Sequence, residues 1–217
     1  KRNLSNNAAN KMFYNEDYTF TSNENDFFFY KDKFGSLKIP KPYLNGQFQL
    51  ENASTAIATL RILKDLNIKD YHIVKGVKKA HNIARLEEIK SGNFKNIVQN
   101  NTLIVDSSHN PGGAKVLNEY IKSLNCDVHA IIGMMYEKNH EEFISYLKDI
   151  KSVITVSIPN TPNSMSGKEL KEKFKNTPNV QYKENVAQAI KSIPLKRGDI
   201  VLITGSIYLA GEVLKTN

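Results

Sequence analysis

From Asn101 onward the chain alternates without a break between short apolar runs and longer stretches of helical spacing, and this alternation excludes most folds. The apolar runs are Thr102 to Asp106, Asp127 to Gly133, Ser152 to Ile158, Val180 to Tyr182 and Asp199 to Thr204. Between and after them lie Pro111 to Leu124, Asn139 to Ile150, Ser166 to Phe174, Asn185 to Ile193 and Ser206 to Leu214. Strand followed by helix, repeated in this way, predicts an α/β parallel sheet with helices on both faces.

Ligands of open α/β sheets bind outside the carboxyl ends of the strands, so the residues that end each run are the candidates for function. Leu103-Ile104-Val105 breaks abruptly into Asp106-Ser107-Ser108-His109, and Asn110-Pro111 then offers an N-cap and a proline suited to the first helical position. The free N–H groups of such a helix favour an anion beside Asp106 and His109. Local pattern alone leaves two readings of Asp106 open. It faces a cleft, outside the core, and binds a ligand, or it accepts backbone N–H groups in a turn.

Gly133-Met134-Met135-Tyr136-Glu137-Lys138-Asn139 and Thr204-Gly205-Ser206 end two further strands. Glycine there lets a backbone approach closely. The methionines are expected to pack beneath the loop, since thioethers alone are poor ligands for hard cations. His129 falls inside a strand and His140 near a helix start, and neither has zinc-clamp spacing. No G-x-G-x-x-G follows any strand. Ser166-Gly167-Lys168-Glu169 imitates the end of a P-loop but has Glu where Ser or Thr holds Mg²⁺, so it is expected to be a helix start only.

Residues 1 to 84 differ in pattern. Met12-Phe13-Tyr14, Tyr18 to Thr21 and Phe27 to Tyr30 are short aromatic and β-branched runs parted by polar residues, which predicts antiparallel strands with Phe27 to Tyr30 buried. Lys38 to Leu44 contains Pro40 and Pro42 and is expected to be an extended connector. A helix follows from Gln47, with Ala53, Ala56, Ile57, Leu60 and Leu63 on one face, and Asn52 near its start as a possible cap. A second is expected from Asp70 to Ala80, with His72 outward and unpartnered. Arg85 to Ile89 alternates as a strand does, which sets a domain boundary between residues 84 and 85.

The net charge of +8 suggests a nucleic-acid partner until its makeup is considered. The lysines are scattered beside Glu and Asp, no five-residue block is purely basic, and only Arg2, Arg61, Arg85 and Arg197 are arginines. A solvated lysine-rich surface fits better, with no nucleic acid as partner. No apolar run approaches the ~18 residues of a membrane span, and Lys1 to Asn7 lack the apolar core of a signal peptide, so the expectation is a cytoplasmic chain that avoids membranes. The single Cys126 excludes an internal disulfide and is expected to be a small helix-end residue.

Four blocks carry a resemblance: Gly46-Gln47-Phe48-Gln49-Leu50-Glu51-Asn52-Ala53-Ser54-Thr55-Ala56, then Ala84-Arg85-Leu86-Glu87, then Asp106 to Ala114, then Thr204-Gly205-Ser206-Ile207-Tyr208-Leu209-Ala210-Gly211-Glu212-Val213. In this order, over about Pro42 to Leu214, they resemble the back half of folylpolyglutamate synthase/dihydrofolate synthase, of the Mur ligase superfamily. The resemblance implies that residues 1–84 are the last portion of a central ATP-binding domain and 85–217 a Rossmann-like C-terminal glutamate-ligase domain.

It further implies an ATP-dependent amide ligase, in which a folate or dihydropteroate carboxylate becomes an acyl phosphate and the amine of L-glutamate attacks it. By the same resemblance Asn52 bonds adenine, Arg85 reaches the ATP phosphates, Asp106 accepts from the ribose, and His109 and Ser206 line the glutamate pocket as the catalytic pair. No residue is assigned to a metal; the Mg²⁺ ligands and the P-loop belong to the family's front half, and the chain alone is expected to be inactive and monomeric. Ala84 stands where Gly commonly precedes the Arg, which would restrict the hinge. Ser107-Ser108 replaces a smaller pair, and Asn139 a frequent Asp. Another Mur-type amino-acid ligase and a noncatalytic nucleotide-binding module are the alternatives.

Overall fold

A computed structural model describes residues 11–23, 26–63, 65–175, 177 and 179–217; the readings of Lys1 to Asn7, Arg2 included, lie outside them. The chain forms two compact units, the first ending at His81 and the second beginning at Asn82.

In the first unit β1 (Tyr18–Ser22), β2 (Phe27–Asp32) and β3 (Gly35–Pro40) form an antiparallel sheet in that order. The side-chain period of two sends Phe28, Tyr30 and Asp32 inward and Phe27, Phe29 and Lys31 to solvent, so the aromatic run is buried only at alternate positions. Two further expectations change. Lys38 to Pro40 is not connector but the end of β3, paired with Phe27 to Phe29. Met12 to Tyr14 forms no strand, only a bridge from Tyr14 to Tyr18.

Against the inner face lie α1 (Phe48–Ile62) and α2 (Asp70–Lys79), enclosing Phe28, Tyr30, Ile39, Leu50, Ile57 and Ile73. The fully buried stripe of α1 is Leu50, Ser54, Ile57 and Ala58, at i, i+4, i+7 and i+8, while Ala56 is exposed and Leu63 caps the helix with 44% exposure. The helix begins early enough for Leu50 to set the stripe, which rotates it away from Ala56. His72 is exposed as expected but has a partner, because its Nδ1 accepts the Lys69 N–H at 3.2 Å.

The second unit is a six-stranded sheet. Its elements are β4 (Glu87–Glu88), α3 (Asn93–Val98), β5 (Thr102–Val105), α4 (Pro111–Lys122), β6 (Val128–Ile132), α5 (His140–Tyr146), β7 (Ser152–Thr155), α6 (Gly167–Lys173), β8 (Val180–Tyr182), α7 (Val186–Lys191), β9 (Ile200–Thr204) and α8 (Ile207–Thr216). The spatial order is β4-β5-β9-β6-β7-β8, parallel except for β4 at the edge. Every residue of β6 and β9 is buried, as continuous apolar strands covered on both faces must be. Leu103, Val105, Ile131, Val201 and Ile203 face a core shared with α3, α7 and α8. Alternation turns Ile104, Ala130, Ile132 and Leu202 to the opposite face.

Each helix that follows a parallel strand starts on a side-chain cap: Asn110, Asn139, Ser166, Asn185 and Ser206 each accept a backbone N–H of the first turn. Ser166 and Glu169 complete a capping box, so this stretch is a helix start as expected. Arg85 to Ile89 departs from expectation. Only Glu87 and Glu88 pair, because Ala84 and Leu86 take φ of 55° and 49°, which breaks the extended run.

Candidate functional site

The site is built where β9, last in the chain, lies between β5 and β6. The loops leaving these strands are stitched together by their backbones: Gly205 N–H donates to Ser108 O at 3.0 Å, and Gly133 N–H to Thr204 O at 3.3 Å. Gly205 has φ of 104°, and a Cβ there would lie 2.7 Å from Gly133 O, so glycine is required for this approach.

His109 is half-buried at the mouth of this arrangement. Its Nδ1 lies 2.9 Å from Ser107 O. A carbonyl only accepts, so Nδ1 carries the hydrogen and Nε2 of the neutral ring is left as an acceptor. Ser206 is buried at 3% exposure, and its Oγ accepts the Tyr208 N–H at 3.1 Å as the cap of α8.

Asp106 does not face an open cleft. It is 3% exposed; its Oδ2 accepts the Leu86 N–H at 3.0 Å and its Oδ1 the Ser108 N–H at 2.8 Å. One carboxylate thus ties the segment around Arg85 to the loop that carries His109. Ser107 N–H adds a bond to Ala84 O at 2.8 Å. Arg85 itself is half-buried and, among the described residues, has no hydrogen bond or ion pair.

Asn52 belongs to the first unit. It is exposed on α1, and its Nδ2 donates to Gln49 Oε1 at 3.0 Å. The N-cap position is Gln47, so Asn52 is not the cap of its helix.

Sequence reasoning missed a second stitching of loops. Tyr136 OH donates to Glu169 Oε2 at 2.6 Å, the same oxygen accepts from Ser166 Oγ, and Tyr136 N–H donates to Asn163 O. The loop after β6 is thereby fastened to the loop and helix after β7. Bonds from Ser166 and then Tyr136 hold the Glu169 carboxyl below its ordinary range, and the Glu169 bond raises the Tyr136 phenol. Asn139 is held as the cap of α5, and His140 Nε2 lies 2.9 Å from Met135 O. The methionines pack as expected, Met134 fully buried and Met135 against the core. Among the described residues no three His, Cys, Asp or Glu side chains converge, and no helix is long and apolar enough to cross a membrane.

Residues 84–207, more than half of the chain, match the family model "Mur ligase, glutamate ligase domain". A probable bifunctional folylpolyglutamate synthase/dihydropteroate synthase of Haloferax volcanii is 28% identical over 191 residues, covering 83% of this chain and 20% of that protein. A dihydrofolate synthase/folylpolyglutamate synthase of Haemophilus influenzae is 27% identical over 185 residues, covering 76% of this chain and 42% of that protein. The solved structure of the Escherichia coli FolC in complex with ADP superimposes with a TM-score of 0.77 at 25% identity, over 93% of this chain and 46% of that one. The chain thus spans less than half the length of these relatives.

Proposed function

This chain belongs to the family of Mur ligase glutamate ligase domains, and on that premise we propose that it serves an ATP-dependent ligase that joins L-glutamate to a folate or dihydropteroate carboxylate. The observation that carries the reading is Arg85, a half-buried guanidinium without a partner among the described residues, tied through Asp106 to the loop of His109.

Its planar fork suits phosphate oxygens, and partial burial strengthens the attraction. Asp106 is proposed to meet the ribose. Each of its oxygens holds one backbone N–H and keeps a lone pair, so a hydroxyl has an acceptor only if it reaches a carboxylate that is 3% exposed. His109 Nε2 is proposed to accept from the ammonium of glutamate, and Ser206 to offer its O–H, its oxygen already serving the cap. Asn52 is proposed for adenine, which its amide can address as donor and acceptor. ATP, when bound, supplies the phosphoryl group that turns a carboxylate into an acylating agent. No described residue is assigned to Mg²⁺, and its ligands are proposed to lie in the part of the relatives that this chain does not span.

The test is amide NMR of the 217-residue chain titrated separately with ADP and with L-glutamate. ADP is expected to shift Arg85 and Leu86, and glutamate His109 and Ser206. Shifts by neither ligand, or at sites remote from these residues, would overturn the reading.

A further inference from the structure

Arg85 is flanked by two strained residues, and the side chain that closes this turn is Glu87. Ala84 and Leu86 have φ of 55° and 49° although neither is glycine, and both are buried, at 3% and 1% exposure. Such conformations persist only where the surroundings over-determine them. Here three bonds do so. Ala84 N–H donates to Glu87 Oε2 at 2.7 Å, Ser107 N–H donates to Ala84 O, and Leu86 N–H donates to Asp106 Oδ2. Glu87 in turn is anchored by its place in β4, opposite Val105 and so next to Asp106.

The charges point the same way. Glu87 lies two positions from Arg85, carries the opposite charge, and makes no ion pair with it. Its carboxylate is turned onto the backbone before the arginine instead, which leaves the guanidinium available to an external anion. A glycine would adopt φ of 55° without penalty; Ala84 does not, so the chain depends on the acceptor that holds it.

We infer that Glu87 is a positioning residue for Arg85: by accepting the Ala84 N–H it locks the left-handed pair around Arg85 and presents the guanidinium, unpaired, to an anionic ligand. The inference rests on the phosphate-binding reading of Arg85, and its test separates the two. Inorganic tripolyphosphate is the probe, titrated calorimetrically at low salt into the 217-residue chain, with Arg85→Ala defining the contribution of Arg85. Glu87→Ala is expected to remove most of that contribution, a several-fold loss of affinity, and to speed hydrogen exchange at Ala84 and Leu86 by tenfold or more while β6 and β9 keep their protection. Glu87→Gln, which retains an acceptor oxygen but not the charge, is expected to stay near wild type in both readouts.

Unchanged exchange at Ala84 and Leu86 in a folded Glu87→Ala protein overturns the inference. So does a Glu87→Gln protein as impaired as Glu87→Ala, because charge rather than the backbone bond would then be acting. Tripolyphosphate affinity that is the same in wild type and Arg85→Ala overturns the phosphate reading of Arg85 and with it the presentation to an anion; the exchange data then speak only for the backbone lock.

Discussion

Arg61 on α1 and Asp32 at the end of β2 meet at 2.8 Å with side chains only 8% and 0% exposed. The same guanidinium reaches Asp70 of α2 at 2.8 Å, and Asp32 also accepts from Tyr30 OH and Phe34 N–H. This pair therefore fastens both helices of the first unit to its sheet. Removing one member of a buried pair strands the other, so Arg61→Met is expected to destabilise the first unit by about 3–5 kcal/mol. Adding Asp32→Leu should recover only part of that loss, because Tyr30 OH and Phe34 N–H then lose their acceptor. Urea unfolding followed by tyrosine fluorescence measures both, and a single variant within about 1 kcal/mol of wild type would contradict the assignment.

Ser54 presents the opposite situation. Its Oγ lies in the stripe of α1 that faces the sheet, fully buried, with no hydrogen-bond partner among the described residues. A lone buried hydroxyl costs about 1–3 kcal/mol, so Ser54→Ala is expected to raise the unfolding midpoint of the first unit or leave it unchanged. A clear fall would reveal a bond made by that hydroxyl.

Asp106→Ala is expected to weaken the fold as well as any nucleotide affinity. The substitution removes the carboxylate that the buried Leu86 and Ser108 N–H groups donate to, a loss of about 2–5 kcal/mol. Asp106→Asn should fare little better, since its NH₂ would face one of the two donors. Thermal midpoint and ADP affinity of the folded protein, taken on one preparation, separate the roles: an unchanged midpoint with an affinity loss beyond tenfold would make the ribose contact primary.

The Tyr136–Glu169 bond sets a pH window. The lowered Glu169 contributes above its unfolded-state pKa and loses that contribution as pH falls through the folded value. The raised Tyr136 contributes below its unfolded-state pKa and is lost as pH rises through the folded one. The stitch is therefore complete around neutrality. Tyr136→Phe is expected to move the Glu169 pKa upward, without restoring it fully because the Ser166 bonds remain; carboxyl NMR titration reads the change, and an unmoved Glu169 would deny the coupling.

The 217-residue chain alone is expected to release no phosphate in a manner dependent on ATP, glutamate and a pterin acid together, since its sequence holds no G-x-x-x-x-G-K-[ST] to cradle a triphosphate. Release dependent on all of these would overturn that expectation.

The second unit was legible because its signals are local. Each apolar run ends at a capping Asn or Ser, so a strand, a turn and a helix start can be located within a dozen residues of sequence. The first unit was less so: Lys38 to Pro40 looks like connector until Phe27 to Phe29 is beside it to pair with. Arg85 and His109 could be named as candidates from their motif, whereas the burial of Asp106 could not be read, because its partner Leu86 is 20 residues away and bonds through a backbone N–H that carries no side-chain signature. Tyr136 and Glu169 are 33 residues apart for the same kind of reason, and only the folded sheet brings their loops together.

The place of β9 bears on how the second unit comes into being. Its neighbours β5 and β6 are made earlier, yet neither pairs with the other, and the strand that joins them follows β6 only after two further strands and three helices. While this sequence is being synthesised, Leu103 to Val105 and Val128 to Ile132 must wait, apolar and with one edge open, until β9 has left the ribosome. A ribosome that stalls before residue 200 would release a chain with two sticky edges and nothing to put between them, a natural substrate for a chaperone or a protease.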